Sequence, residues 1–342
     1  MSAFEEYLKA IYNSLRLILI YSGKGGSGKT TLGQNLAWWL ASLGRTVVLV
    51  DTDSRAMSSN FINMFAIPER ERYTLSHVIQ DEVPLLQSMY QVRRGLYIIP
   101  SDSNIDRANN HIVTNEAQEI MIDRFNDMAR TLAERMSRWA SPPTGTVDWH
   151  QEQSISLRDI RPAEPVSGDE VRLPPSQINY LIWDFAADPG PLGKAILRIP
   201  RSEILAPVVL EPLPLLAFAQ MKIFVQTLFK NHPEQMPTIK GVVPYHLTHK
   251  KEFTSQEFVK LYLAHPEVFM RAVHEDLSVP ETQRVYPAQS IYEGNRQSRA
   301  AREILEIALR VDGYQGLLKG GPACKYCNEI HDWLQQQHQV AG

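Results

Sequence analysis

The stretch that decides the fold is LRLILIYSGKGGSGKTTLGQNLAWWLASL, which runs from Leu15 to Leu43. Its first part, up to Tyr21, is a short and nearly continuous apolar run, typical of a strand buried on both faces of a parallel sheet. From Thr30 onward, apolar side chains recur at helical spacing, and Gly44 follows as a common helix stop. A strand, a glycine-rich loop and a helix in this order predict the first unit of an α/β sheet.

The glycine-rich loop from Gly23 to Thr30 satisfies the pattern G-x-x-x-x-G-K-[ST]. Its glycines allow successive backbone N–H groups to face one anion, and the start of the following helix adds partial positive charge. We expect Lys29 to reach the β- and γ-phosphates of a nucleotide and the Thr30 hydroxyl to bind Mg²⁺. The alternative is a glycine-rich turn that matches by chance, but the flanking strand and helix favour a nucleotide site.

Acidic residues follow two further predicted strands. The strand at residues 46–50 delivers Asp51 and Asp53 at its carboxyl end, and the strand at residues 179–183 ends at Asp184. The four apolar residues before Asp184 are the lead-in expected of a Walker B aspartate. The alternative interpretation is an ordinary acidic turn after each strand.

The rest of the pattern alternates strands with helices. Further strands are predicted at residues 95–100, 204–209 and 238–243, and helices at 105–139, 215–230 and 298–311. This alternation predicts an α/β fold, a doubly wound and mostly parallel sheet with helices on both faces. The chain divides into an N-terminal helical lead (1–14), a phosphate-loop domain (15–312) and a C-terminal appendage (313–342). Six prolines mark a predicted loop insertion at 141–176.

Composition limits the classes of protein to which the chain can belong. A formal net charge of −3 and a hydrophobic content of 44% do not fit a dedicated basic nucleic-acid binder, although a local basic face is compatible with them. No apolar run approaches the roughly 20 residues of a membrane span. With two cysteines, a disulfide framework is not expected. These features predict a cytoplasmic protein.

The loop sequence KGGSGKTT, with an extra lysine at Lys24, resembles the deviant Walker A signature of the ParA/MinD family. That family includes partition ATPases, cargo-positioning ATPases and the division-site selector. The resemblance implies the deviant Walker P-loop NTPase fold, ATP and Mg²⁺ as ligands, homodimer formation on ATP binding, and slow hydrolysis to ADP and phosphate. It also implies that Lys24 reaches the phosphates of the partner subunit, where an ammonium offsets charge on the transferring phosphoryl group.

The same resemblance assigns roles to individual residues. Asp53 would orient the attacking water, Asp51 would support the magnesium shell, and Asp184 would bind a water on the metal. The implied nucleotide contacts are Gly23, Lys24, Gly25, Gly26, Ser27, Gly28, Lys29, Thr30, Thr31 and Glu211. The chain departs from the family pattern at Ser54-Arg55, where Pro-Gln is common, and after Asp184, where it reads FAADPG. These departures concern the two predicted switch loops.

Within the family, the sequence favours partition or positioning of DNA or of a cargo over the nucleoid, with a ParB-like or other adaptor that stimulates hydrolysis. Residues 215–260 contain six lysines against three glutamates, which two subunits would double into a face for nonspecific DNA. The alternative is that these lysines lie on an ordinary solvated surface that does not bind DNA. The tail lacks the basic amphipathic helix of membrane-bound relatives, so membrane attachment is not expected.

The tail carries Cys324-x-x-Cys327-x-x-x-His331, a ligand set and spacing compatible with zinc. It is similar to the Cys-x-x-Cys pairs with which some relatives bridge their dimers through zinc or an iron–sulfur cluster, although in those relatives the pair occurs earlier. Two ordinary free thiols are the alternative. A metal-bridged dimer would instead indicate a client-targeting or metallocluster-carrier ATPase.

Overall fold

The fold is described for most of the 342-residue chain by a computed structural model. The described residues are 15–61, 64, 67–114, 116–125, 154–156, 179–247, 252–285, 287–314 and 317–319. The predicted helical lead (1–14) and almost all of the proline-rich insertion and the appendage lie outside these residues.

An eight-stranded sheet forms the centre of the molecule. Its strands are β1 (Arg16–Ile20), β2 (Val47–Asp51), β3 (Tyr90–Arg93), β4 (Leu96–Ile99), β6 (Tyr180–Asp184), β7 (Ser202–Val209), β8 (Thr238–Leu247) and β9 (Val273–His274). The strand order is β3-β4-β2-β6-β1-β7-β8-β9, and all neighbours are parallel except β3 and β4. Continuous apolar runs occupy the central strands because helices cover both of their faces.

Helices pack on both faces of the sheet. They are α1 (Lys29–Ser42), α2 (Leu75–Ile79), α3 (Ile105–Asn110), α4 (Gly190–Leu197), α5 (Pro212–Leu228), α6 (Glu252–Ala264), α7 (Ser278–Gln283), α8 (Ile291–Gly294) and α9 (Arg299–Val311), with a further helical segment at 116–125. Short 3-10 helices span Ser58–Phe61, Glu69–Glu71, Leu85–Ser88, Pro233–Gln235 and Pro266–Val268. Helices α1 and α9 pack into one apolar core, and α3 to α6 contribute to the core on the other face.

The predicted fold class is therefore confirmed, with three local corrections. The helix predicted at 105–139 is interrupted, because α3 ends at Asn110 and turns separate it from the segment at 116–125; its last part lies outside the described residues. The strand predicted at 238–243 continues to Leu247. The insertion, predicted as a loop, contributes strand β5 (Ser154–Ser156), which pairs in parallel with β10 (Leu317–Lys319) of the appendage.

Strand register brings the predicted acidic residues to one edge of the sheet. Asp184 is the register partner of Asp51 on one side and of Ile20 on the other. Because β1 runs directly into the glycine-rich loop, the loop and both carboxylates lie at the same carboxyl edge. Among the described residues, no helix is both long enough and apolar enough to cross a membrane.

Candidate nucleotide site

The glycine-rich loop has the curled backbone that its sequence predicts. Gly23, Gly26 and Gly28 adopt φ values of +71°, +73° and +86°, a region that strains any residue with a Cβ. Gly28 is also the residue before α1, so the curl passes directly into the helix N-terminus. Successive N–H groups and the end of the helix dipole can then face a common anion.

Two glycines are required for packing as well as for conformation. A Cβ on Gly28 would lie 2.3 Å from ring atom Cε1 of Tyr245, and a Cβ on Gly23 would lie 2.9 Å from the carbonyl oxygen of Ala217 in α5. No atom of the described residues outside its neighbours lies within 4 Å of a Cβ built on Gly26. The loop therefore rests on Tyr245 and on α5, while the segment around Gly26 is open.

Lys29 folds back across the loop. Its Nζ donates to the carbonyl oxygen of Lys24 at 2.6 Å. Burial lowers the pKa of Lys29, although the nearby carboxylates of Asp184 and Asp53 oppose the shift. A largely desolvated ammonium beside a ring of N–H groups is placed to meet phosphate oxygens, as the sequence predicts.

Asp51 and Asp184 form a buried pair of carboxyl groups. Their exposed fractions are 0% and 1%, and burial raises the pKa of both, with the charge of Asp184 adding to the rise at Asp51. Hydroxyl groups of Ser58 and Thr30 oppose the rise at Asp184. Burial of two neighbouring carboxyl groups favours their neutral forms, so a cation bound at this edge would stabilise both as carboxylates.

The residues present fit a magnesium ion at this edge. Asp184 Oδ1 is buried and has no hydrogen-bond partner among the described residues, whereas Oδ2 accepts from Ser58 Oγ at 2.7 Å. Mg²⁺ is commonly held by one or two carboxylates together with substrate phosphates and water. The described residues contain no cluster of three or more His, Cys, Asp or Glu side chains arranged as a metal site by themselves.

Asp51 anchors the loop that follows β2. Its Oδ2 accepts from the N–H and the hydroxyl of Ser59 at 2.9 and 2.8 Å, and its Oδ1 accepts from the N–H of Asp53 at 3.1 Å. Ser59 Oγ also accepts from the N–H of Ser101 beyond β4. Sequence reasoning missed Ser58 and Ser59; their signal is a run of small hydroxyl side chains shortly after an acidic strand end.

Asp53 is held by an arginine that sequence reasoning did not use. Arg55 Nε donates to Asp53 Oδ1 at 3.0 Å, and Nη2 donates to Oδ2 at 2.7 Å. Hydrogen bonds from Arg55 lower the pKa of Asp53 in spite of its partial burial. The carboxylate is therefore ionised but engaged on both oxygens.

The C-terminal part of the fold is tied to the loop through α1. Gln283 Nε2 at the end of α7 donates to Thr31 Oγ1 at 2.8 Å, and Asn35 Oδ1 accepts from the N–H of Ile291 at 2.8 Å. Gln283 is a further contact that the sequence did not indicate. It places the segment around α7 beside the first turn of α1.

Three further predictions concern Lys24, Glu211 and the cysteine-containing tail. The Lys24 ammonium makes no hydrogen bond or ion pair within the part of the chain that the structure describes. Glu211 lies directly before α5, the helix that meets Gly23 through Ala217. Cys324, Cys327 and His331 lie outside the described residues, so the zinc or iron–sulfur prediction stays untested.

The lysines of residues 215–260 are spread over several elements. Lys222 on α5 is 3.1 Å from His265 Nε2, Lys240 on β8 is 3.9 Å from Glu203, and Lys260 on α6 is 2.8 Å from Glu257. Three of them therefore have local partners, and Lys250 and Lys251 lie outside the described residues. The DNA face predicted from the sequence stays a prediction.

Comparison with known proteins agrees with this geometry. A family model described as an AAA domain matches residues 15–132. An uncharacterised ATP-binding protein of Methanocaldococcus jannaschii is 35% identical over 91 residues, which are 26% of this chain and 33% of that protein. MinD of Synechocystis is 30% identical over 33% of this chain and 41% of its own length. ParA of Caulobacter vibrioides is 34% identical over 27% and 34% of the two chains. The matches thus span less than half of each relative.

Solved structures extend the likeness of fold over most of the chain. McdA of Cyanothece, in complex with ATP, superposes with a TM-score of 0.63 at 14% identity, covering 90% of this chain and 99% of that one. MinD of Pyrococcus horikoshii, with Mg-ADP, gives a TM-score of 0.57 at 16% identity, covering 87% and 96%. At such identities the likeness shows the fold.

Proposed function

Because this chain is a ParA/MinD-type P-loop protein, we propose that it is an ATP-dependent dimerising switch ATPase that partitions or positions DNA or another cargo. The observation that carries the proposal is the meeting of Lys29, Asp51, Asp53 and Asp184 at the carboxyl edge of β1, β2 and β6. A buried ammonium within electrostatic range of the carboxylates of Asp184 and Asp53 suits a metal-bound polyphosphate. Relatives solved with ATP and with Mg-ADP support the choice of ligand.

In this mechanism the loop glycines and Lys29 hold the β- and γ-phosphates. Thr30 would hold Mg²⁺, with Asp51 and Asp184 in supporting roles, Asp184 through a water on the metal, and the ion would offset negative charge on the phosphates. Asp53 orients a water toward the γ-phosphorus, and the bond to the bridging oxygen breaks to give ADP and phosphate. Hydrolysis by such arrangements depends on positioning and charge, since the protein does little covalent chemistry.

Lys24 carries the dimer part of the proposal. Its ammonium has no hydrogen-bond or ion-pair partner among the described residues, and Lys24 lies two residues before Gly26, where the loop is open. A second subunit across that face would place a phosphate charge within its reach, as the family resemblance implies. Dimerisation then creates a surface that binds nonspecific DNA, and hydrolysis separates the subunits and removes that surface. An adaptor of the ParB kind sets the rate of hydrolysis. Nucleoid association in the cytoplasm follows from that activity.

Sedimentation of the full chain with Mg²⁺ and either ATP or ADP tests the dimer. We expect a dimer with ATP and a monomer with ADP. Lys24→Ala should keep nucleotide affinity but stay monomeric, whereas Lys29→Ala, the matched control, should lose nucleotide binding itself. A Lys24→Ala variant that still dimerises with ATP would contradict the proposed role of Lys24.

Retention on DNA tests the partition part of the proposal. The wild-type chain should bind DNA of unrelated sequence with ATP but not with ADP, and the affinity should fall steeply as salt rises because lysine contacts to phosphate release counterions. Lys24→Ala should lose this retention together with dimerisation. DNA binding that is indifferent to the nucleotide would rule out a DNA-positioning switch.

A further inference from the structure

Arg55 and Asp53 form a fork-to-fork ion pair in the loop that leaves β2. Both carboxylate oxygens receive a guanidinium donor, at 3.0 and 2.7 Å, and Oδ1 also accepts the backbone N–H of Arg55 at 3.0 Å. These three donors occupy three of the roughly four lone-pair sites of the carboxylate. The pair therefore restricts the role proposed for Asp53 while it persists.

The two members of the pair differ in exposure. The side chain of Arg55 is 66% exposed and that of Asp53 is 12% exposed. A largely exposed arginine gains little from its ion pair, because water and salt screen the attraction and the long side chain loses conformational freedom. Arg55 can accordingly exchange its ion-pair partner at a small cost in free energy, while the more buried Asp53 stays in place.

The guanidinium also lies within electrostatic range of the phosphate loop. Its charge contributes to the lowered pKa of Lys29, and the charges of Asp184 and Asp51 act on Arg55 in turn. Arg55 therefore lies close enough to the Lys29 ammonium and to the buried carboxylates for its charge to act on them. The γ-phosphate of a nucleotide held by Lys29 would come within the same range.

We propose that Arg55 senses the γ-phosphate by exchanging Asp53 for the terminal phosphate of ATP, an inference that rests on the proposed ATPase function. The planar guanidinium fork that matches a carboxylate also matches a phosphate, and the terminal phosphate carries more negative charge than Asp53. The exchange removes the guanidinium from both oxygens of Asp53, which can then orient water although Oδ1 keeps its bond to the backbone N–H of Arg55. With ADP there is no third phosphate, so the pair with Asp53 remains closed.

Calorimetric titration with AMPPNP and with ADP, both with Mg²⁺, tests the exchange. In Arg55→Ala we expect AMPPNP affinity to fall about tenfold, the factor for one charge-assisted contact, with ADP affinity unchanged. Arg55→Lys should recover part of the loss, since it keeps the charge but not the fork. Arg70→Ala is the matched control, because this 85% exposed arginine pairs with Glu71 and should leave both affinities unchanged.

A double-mutant cycle separates exchange from simple charge effects. Asp53→Asn should tighten AMPPNP binding more in the presence of Arg55 than in Arg55→Ala, because it releases the guanidinium in advance. Equal tightening in both backgrounds, or equal losses for AMPPNP and ADP in Arg55→Ala, would overturn the sensing role. If the wild-type chain binds neither nucleotide, the proposed ATPase function fails instead.

Discussion

Substitution of Gly28 by alanine tests the packing of the phosphate loop most directly. Gly28 has a φ of +86°, and a Cβ there would lie 2.3, 2.5 and 2.6 Å from three ring atoms of Tyr245. A left-handed backbone costs alanine about 1–2 kcal/mol, and an overpacked contact costs about 1–3 kcal/mol more. Together they remove roughly 2–5 kcal/mol from a total stability on the order of 5–15 kcal/mol.

Gly26 supplies the matched control. Its φ of +73° is similar, but in the part of the chain that the structure describes nothing beyond its neighbours lies within 4 Å of a Cβ placed on it. Gly26→Ala should therefore lower the free energy of unfolding only by the cost of the left-handed backbone, about 1–2 kcal/mol. The difference between Gly28→Ala and Gly26→Ala measures the contact with the Tyr245 ring.

Urea denaturation of the nucleotide-free chain, followed by tryptophan fluorescence, gives the free energy of unfolding. Removal of the ring in Tyr245→Val should reduce the cost of Gly28→Ala to that of Gly26→Ala, a coupling of about 1–3 kcal/mol. If Gly28→Ala costs the same with and without the ring, Tyr245 does not limit the loop and the packing argument is wrong. The nucleotide affinity of each variant then shows whether the folded loop still binds nucleotide.

Two further predictions concern the segment that follows β9. Buried Glu303 accepts from the N–H and Nδ1 of His274 at 2.8 and 2.7 Å and from Arg299 Nε at 2.9 Å, so Glu303→Gln should lower the free energy of unfolding by about 2–3 kcal/mol in urea denaturation; a neutral outcome would mean that the charge is dispensable. Burial would raise the pKa of Asp276, but hydrogen bonds, including that from Ser298, hold it below its ordinary 3.8. Its contribution to stability is therefore full above the unfolded-state pKa and is lost as the pH falls below it. Thermal melts should show a smaller loss on acidification in Asp276→Asn than in wild type, and equal losses would contradict this.

The sequence by itself determined the fold class and the residues at the phosphate loop. An apolar strand, eight loop residues and a helix can be recognised locally, because glycine content and hydrophobic period depend on near neighbours in the chain. The strand ends at Asp51 and Asp184 also followed, since a short apolar run that stops at a carboxylate is a local pattern. By contrast, local periodicity missed the interruption of the helix between 110 and 116, where the turn carries no strong breaker signal.

Only the tertiary structure decided what surrounds those residues. Ser58 and Asp184 are 126 positions apart along the chain, and Gln283 and Thr31 are 252 apart. Hydrogen bonds of this kind depend on strand order and helix packing, which a single sequence does not encode in any local pattern. The ring of Tyr245 beneath Gly28 belongs to the same class of contact. The sequence thus specified the chemistry of a nucleotide site, because that chemistry is local, whereas the fold decided which side chains hold it in shape, because that depends on contacts between distant segments.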